Sequence, residues 1–445
     1  MHLPLRSRFV KDSGTLLSGS VVAQGIAFAA YVVLLRFFTP ADFGLCNVLF
    51  SYLEVLIILS TCKYELSIVV APSDREAAHI ARLTLRLNTL VSLLLLFLAL
   101  LGFVLLHSGL WSNNPLSRSG ADTLQSQLLI FLLPLLVFFN GTIRVYSALC
   151  NRYKRYKSVA SGEVATSVGT VLFRFLFGLL APLMQFLHSF GLPLGTLLGK
   201  MVGHYCYRRA AAGYLQSAPP AKFFPLSHSD RSLLAQNRNF PLYVMPKEFV
   251  SSFSANLPFM WLGLYFDKPV IGLFSLAITF TMRPANILST TFEKVFYAEA
   301  AQAVARRQRL GSDIGRFVVL LGSAAIVVSA LLFFFAEPLF TFLFGSQWVG
   351  TGYYVRCILP WVAVLVVTNS LAFVANIFGT QRVDFILQLV QLVLRVVALW
   401  IGLSRSDFRL AVLLFCMASA AVQVVQLCWY LYQTHRYNRS LNPIP

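Results

Sequence analysis

Apolar runs of about twenty residues recur along the whole chain, separated by short charged or Pro/Gly-bearing turns. At 1.5 Å per helical residue, a run of that length crosses the roughly 30 Å hydrocarbon core of a bilayer. Twelve such runs can be placed, at 13–37, 43–71, 84–107, 125–150, 159–182 and 185–207, then 242–266, 270–292, 316–342, 353–378, 385–403 and 408–433. The longest gap, 208–241, carries Pro219, Pro220, Pro225 and Pro241 among basic residues and reads as a linker. The pattern therefore predicts an all-α polytopic membrane protein of about 12 transmembrane helices: a six-helix bundle over 1–207, a cytoplasmic linker over 208–241, and a second bundle over 242–445. FTPADFGLCNVLF turns the first span into the second, and YFDKPVIGLFSLA turns the seventh into the eighth. Gly44 and Gly272, 228 positions apart, hold the same place in the two turns. Six spans per half make this a parallel repeat, and two such bundles with a central cleft are a scaffold for alternating access.

Polar residues inside these runs fall on faces. On the second span Asn47, Ser51, Glu54, Thr61 and Glu65 lie within roughly 60° of one another at the helical period. A carboxylate in a span is costly unless it faces a bundle interior or a water-filled cavity. The fourth span groups Asn140, Arg144, Ser147 and Asn151, and the fifth stacks Glu163, Ser167, Thr170 and Arg174. The eighth has Thr279, Arg283, Asn286 and Thr290, with Pro284 as a bend, and the first shows Ser13, Ser20, Gln24 and Tyr31. Asp384, Gln388, Gln391 and Arg395 share a face of the eleventh, where peripheral packing makes a structural role for Arg395 the expectation.

Arg174, Arg283 and Arg395 stand near mid-membrane by residue count, where an unpaired charge costs at least about 2.5–3.5 kcal/mol. Cleft-facing cations imply an anionic head group, since a guanidinium presents a fork suited to phosphate oxygens. The candidate substrate-binding residues are Arg283, Asn286, Arg144, Arg174 and Gln24. Glu54, Glu65 and Glu248 are candidates for ion or proton coupling or gating, with pairing to bundle arginines as the alternative for each. Lys63 lies nine residues beyond Glu54, about 180° round a continuous helix, and is expected to face away from the carboxylates.

Charge sets orientation. With the N-terminus inside, the inner segments hold 24 of the 36 Lys and Arg residues and the outer segments only 4, which places both termini in the cytoplasm. The formal net charge of +19 is then a matter of topology and anionic-lipid contact rather than nucleic-acid binding. Charged residues make up 12% of the 445, about half the share of soluble domains. The first run, preceded by Arg6, Arg8 and Lys11, is longer than a signal-peptide core and is expected to stay as a span. The seven cysteines are scattered without CxxC pairs and the seven histidines are dispersed, so neither a metal site nor a cofactor is indicated. No GxxxxGK[ST], HExxH or GxSxG is present, leaving ATP-driven pumping and familiar hydrolysis without a motif.

RFFTPADFG followed by KYELSIVVAPSDREAA resembles the opening of the Wzx-type polysaccharide flippases of the multidrug/oligosaccharidyl-lipid/polysaccharide (MOP) superfamily. Pro40, Phe43 and Gly44 match that family's Pro-x-x-Phe/Tyr-Gly turn. Tyr64 and Glu65 match its Arg-Tyr-Glu motif, with Lys63 in place of the Arg. Asp74, Glu76 and Ala77 match the acidic segment that follows, and RPANILSTTFEKVFYAEAA is similar to the family's eighth helix. The likeness is dense over 13–90 and patchy over 240–310. It implies a transporter, not an enzyme, in the bacterial inner membrane, moving polyprenyl-diphosphate-linked oligosaccharide for O-antigen, lipopolysaccharide or exopolysaccharide synthesis. Polysaccharide polymerase and chain-length machinery would be candidate partners. The alternatives are a multidrug antiporter of the same superfamily, whose cleft should be dominated by carboxylates; a peptidoglycan-precursor flippase, expected to carry two further spans beyond Pro445; and a membrane polymerase or ligase, expected to need a larger outer loop than 108–124.

Overall fold

The protein is described by a computed structural model, which covers residues 25, 29–107, 129–184, 186–215, 227–306, 309–310 and 312–441. The first predicted span, the basic N-terminus, the 108–124 loop and the prolines at 219, 220 and 225 lie outside the described residues, apart from Gly25 and residues 29–37 of that span, helical over 29–34. Fourteen helices follow: α1 (Pro40–Thr61), α2 (Tyr64–Val70), α3 (Asp74–His107), α4 (Leu132–Arg152), α5 (Tyr156–Leu180), α6 (Phe186–Ala211), α7 (His228–Gln236), α8 (Met245–Leu262), α9 (Lys268–Ala305), α10 (Ser312–Phe344), α11 (Thr351–Ser370), α12 (Phe373–Ile377), α13 (Gln381–Ser404) and α14 (Phe408–Ser440). Among the described residues nine helices are long and apolar enough to cross a membrane, so the chain is a multi-pass membrane protein. The sixth and seventh predicted spans fall on α6 and α8, which are helical but less apolar.

The chain divides into two compact units, Met1–Asn256 and Leu257–Pro445, so the linker helix α7 and the start of α8 go with the first. The two related turns both lead straight into a helix. Gly44 is the fifth residue of α1 and Gly272 the fifth of α9, and both are buried. Thr39 caps α1 reciprocally: its hydroxyl accepts from the Asp42 amide, and Asp42 Oδ2 accepts from the Thr39 amide at 2.8 Å.

Within the first unit, α5 and α6 pack most intimately, and the reason is small residues at four-residue spacing. A Cβ on Gly203 would meet Thr166, one on Gly199 would meet Thr170, and one on Gly195 would meet Arg174, the last two reaching backbone atoms. At the end of the same antiparallel pair beyond Gly203, Gly162 lies against the Tyr207 ring. In lipid, where apolar side chains gain little by leaving one tail environment for another, such small-xxx-small faces let backbones approach and dispersion accumulate.

The second span does not run unbroken. Cys62 (φ 46°) and Lys63 (φ 61°) are both left-handed, ending α1 and restarting the chain as α2. Two successive non-glycine residues there cost about 1–2 kcal/mol each and reset the helical phase. The prediction that Lys63 faces away from the carboxylates therefore fails: it is buried, 2.5 Å from Glu248 and 3.9 Å from Glu65.

A buried apolar core containing Ile68, Ile80, Val145, Leu149, Tyr207 and Leu233 ties α2, α3, α4, α6 and α7 together at this end. The linker helix is also pinned by charge. Asp230 accepts from the Ser227 amide at 3.0 Å, lies 2.5 Å from His79 Nε2, and stands 3.6 Å from Arg86. Burial raises the Asp230 carboxyl, but the bonds from Ser227 and His79 outweigh it and hold the group below its usual value.

In the second unit α11 is central, 67% buried along its spanning window, with α9, α10 and α14 around it; the window of α10 is 0% buried, as suits a lipid-facing helix. Two buried charges are satisfied internally. Arg395 Nε donates to Ser419 Oγ at 2.8 Å, with its guanidinium 4.9 Å from the Trp361 ring centre and 4.6 Å from that of Phe415. The Tyr430 hydroxyl donates to Asp384 at 3.0 Å.

Two outcomes follow from these contacts. Gly199→Ala should lower the thermal midpoint of the detergent-solubilised protein by the equivalent of about 1–3 kcal/mol, because its new methyl meets Thr170 backbone. Gly102→Ala, with nothing within 4 Å, should leave that midpoint unchanged or raise it slightly. Asp230, its carboxyl depressed in the fold, stabilises the α7 dock fully above its unfolded value near 3.9, and loses that contribution as pH falls below it. Protection of 228–236 against hydrogen exchange, relative to the intrinsic rate at each pH, should accordingly fall below about pH 4, and Asp230→Asn should lower it about fivefold to thirtyfold already at pH 7.

Candidate functional site

The break at Cys62–Lys63 and the glycine seam together open a cavity of about 580 Å³ in the first unit, within the usual range of about 300–1,000 Å³ for ligand pockets. Its walls come from α2, α4, α5 and α6. Glu65 enters from α2; Arg144, Ser147 and Asn151 from α4; Glu163, Thr166 and Ser167 from α5; Lys200 and Tyr207 from α6. Most of the polar face of the fourth span and the N-terminal half of the fifth thus converge on one space, as their periodicity allows. Lys200, a single lysine in a glycine-rich span, has Thr196 and His204 at helical spacing but no second charge there to flag it. Only its charge in an apolar run marks it in the sequence.

The charges form a chain. Lys63 sits between Glu248 and Glu65, and Glu65 Oε1 lies 3.9 Å from Lys63 Nζ and 4.0 Å from Arg144 Nη1. Only the Lys63–Glu248 contact is a hydrogen-bonded pair; the other two exceed bonding distance and act through Coulomb attraction, strong in a low-dielectric interior. Glu65 is 5% exposed, yet its Oε2 has no hydrogen-bond partner. Arg144 keeps a third of its side chain exposed. Lys200 stands within electrostatic reach of Glu54, Arg144 and Arg174.

The remaining candidates fall elsewhere. Arg174 does not line the cavity. It is buried in the α5–α6 seam, where Nη2 donates to Thr196 Oγ1 at 2.7 Å and the guanidinium lies about 6 Å from the rings of Tyr31 and Phe50. Glu54 is exposed on α1, while Ser51 and Thr61 of its stripe are buried, so the stripe divides between two environments. Glu248 is half-exposed on α8, where it holds Lys63. In the second unit Arg283, Asn286 and Thr290 share an exposed face of α9, and Ser289 beside them is buried against α11. Gln24 lies outside the described residues. Among the described residues no group of three or more His, Cys, Asp and Glu is arranged to hold a metal ion.

Three solved structures share the fold over nearly their whole lengths. A lipid II flippase, MurJ, in an inward closed conformation aligns with a TM-score of 0.66 at 11% identity, covering 95% of this chain and 90% of that one. An inward-facing multidrug resistance MATE family transporter of the MOP superfamily aligns at 0.59 and 15%, covering 94% and 96%. A MOP superfamily transporter from Pyrococcus furiosus aligns at 0.57 and 15%, covering 96% and 95%. At these identities the likeness is one of fold. No curated protein matches the chain in sequence. A profile of polysaccharide biosynthesis proteins, however, matches residues 9–297, well over half of the chain. On that match, and with the fold of the MOP superfamily transporters, the chain belongs to the polysaccharide biosynthesis protein family.

Proposed function

We propose that the protein is a flippase that carries a polyprenyl-diphosphate-linked oligosaccharide from the cytoplasmic to the outer leaflet of a bacterial inner membrane by alternating access, serving O-antigen, lipopolysaccharide or exopolysaccharide synthesis. The observation that carries this reading is the polar cavity between α2, α4, α5 and α6, placed in an otherwise apolar bundle of a polysaccharide-biosynthesis family member. A lipid-linked saccharide has one obstacle to crossing, the desolvation of its polar head, since its tail can remain in hydrocarbon throughout. A cavity walled by Arg144, Lys200, Glu65 and Asn151 replaces water for that head. The exposed face of α9 with Arg283 and Asn286 offers cation and amide groups to the diphosphate. Both termini are cytoplasmic in this reading, as the Lys/Arg bias demands.

Gating is assigned to the Lys63 cluster. Lys63 has two carboxylates in reach, one bonded and one at 3.9 Å, so a shift of α8 relative to α2 exchanges its partner without stranding the charge. Glu65 and Glu248 are then the two alternative seats, and Glu54 is the exposed carboxylate open to a coupling ion.

The test is leaflet-resolved. In cells lacking the protein but supplied with the lipid-linked repeat unit, exposure of the unit to an outer-face glycan-binding reagent should appear only when the protein is restored. Arg144→Ala and Arg283→Ala, at matched protein levels, should each lower that exposure about tenfold or more. Unchanged exposure without the protein sinks the reading. If the restored protein instead lowers drug sensitivity in a host stripped of its exporters, the antiporter reading takes its place.

A further inference from the structure

We infer that the entry of α8, residues 238–247, is a binding site for an anionic phospholipid of the leaflet on which the linker lies, the inner one in the orientation proposed above. The inference is independent of what the protein transports.

The site begins with how the segment is held. Pro241 stands in a π turn over Phe240–Val244, closed where the Met245 amide donates to the Phe240 carbonyl five residues back. The turn packs against α2. Just upstream the Tyr64 hydroxyl of α2 donates to the Leu234 carbonyl at 3.4 Å, and just downstream Glu248 holds Lys63. With that side fastened, Leu242 and Tyr243 stand 58% and 72% exposed, and nothing in the described chain covers them.

Each of these apolar residues has a cation one turn away. Arg238 precedes Leu242 by four residues, and the Leu242 amide donates to the Arg238 carbonyl at 3.1 Å. Lys247 follows Tyr243 by four, a spacing that makes neighbours on a helix. Arg238 and Lys247 are both exposed, and neither makes an ion pair among the described residues. The nearby carboxylates do not offset them, since Asp230 is taken by His79 and Arg86, and Glu248 by Lys63. The patch is therefore cationic and apolar at once.

A segment that passes from a linker into a spanning helix lies at the membrane surface, where tyrosine and basic residues serve as anchors. A phospholipid meets all four side chains there. Its phosphodiester takes the cations, and the upper part of its acyl chains covers Leu242 and Tyr243. A zwitterionic lipid brings a cation of its own, which Arg238 and Lys247 repel, so an anionic head group is favoured. An acidic protein segment would answer the charges, but would gain little from two apolar side chains that lipid already covers.

A fluorescent reporter tests this in the full chain reconstituted in phosphatidylcholine vesicles. Tyr243→Trp is read against the six tryptophans of the parent, and Ile326→Trp, on the lipid-facing α10, serves as a reference far from any cation in its own helix. Brominated phosphatidylglycerol should quench the reporter at position 243 at a mole fraction about tenfold lower than brominated phosphatidylcholine, and the two should quench alike at position 326. Arg238→Gln with Lys247→Gln should bring the preference at 243 to within about twofold. High salt should shrink it in the reporter that keeps both cations, so a folding defect in the triple variant does not decide the matter. Equal quenching by the two lipids at 243, a preference that survives both substitutions, or an equal preference at 326 would overturn the assignment. Quenching at 243 by neither lipid, with the reporter open to aqueous iodide, would overturn it as well and leave the surface to a protein partner.

Discussion

The close approach of α5 to α6 is the constraint on which the first unit turns. Gly195, Gly199 and Gly203 leave no side chain between the helices, so Thr166, Thr170 and Arg174 lie directly against the backbone of α6. That contact fixes the rotation of both helices. With the glycines turned toward α5, Lys200 has to project beside the seam rather than into it, and Glu163 and Ser167 emerge on the same side. A charged wall is thus a by-product of a packing face. Side chains large enough to hold the helices apart would remove the dispersion contacts and rotate the charges away from one another at the same time.

The second constraint is that a charge in a low-dielectric interior must meet its opposite. The left-handed break at Cys62 and Lys63 is unfavourable as local backbone, yet it delivers Lys63 to Glu248 and Glu65. On a continuous helix Lys63 would point toward the tails or snorkel out, and Glu65 would keep Arg144 as its nearer cation at 4.0 Å. Backbone strain of a few kcal/mol is of the same order as the gain from pairing Lys63 with two carboxylates in a low-dielectric interior, and the ion pairs offset the broken helix. The second unit solves the same problem without a cavity: Arg395 is enclosed by Ser419, Trp361 and Phe415, and Asp384 is met by Tyr430.

How much of this is legible in the chain depends on whether an inference needs one helix or several. Span positions need one, and eleven of the twelve predicted runs fall on described helices. Faces need one as well, and of the predicted grouping of Asn140, Arg144, Ser147 and Asn151 the last three are found on a single wall. Lys63 defeats the same logic because the period is counted through a break that nothing in KYEL announces: neither Gly nor Pro marks it. Arg174 shows the other limit. Its depth follows from residue counting, but its burial follows from glycines twenty to thirty positions away on a neighbouring helix. Lys200 is hidden for the complementary reason, since the charges that meet it, Glu54, Arg144 and Arg174, stand on α1, α4 and α5.

A transporter must release what it binds, and this bears on why the wall is balanced rather than basic. A cavity of net positive charge would hold a diphosphate through long-range attraction that the membrane's low dielectric amplifies. Its occupied and unoccupied forms would then differ by a whole charge or more within the bilayer, which raises the barrier to any rearrangement that carries the site across. With Glu65 and Glu163 offsetting Arg144 and Lys200, the wall as a whole is formally neutral, and that barrier is avoided.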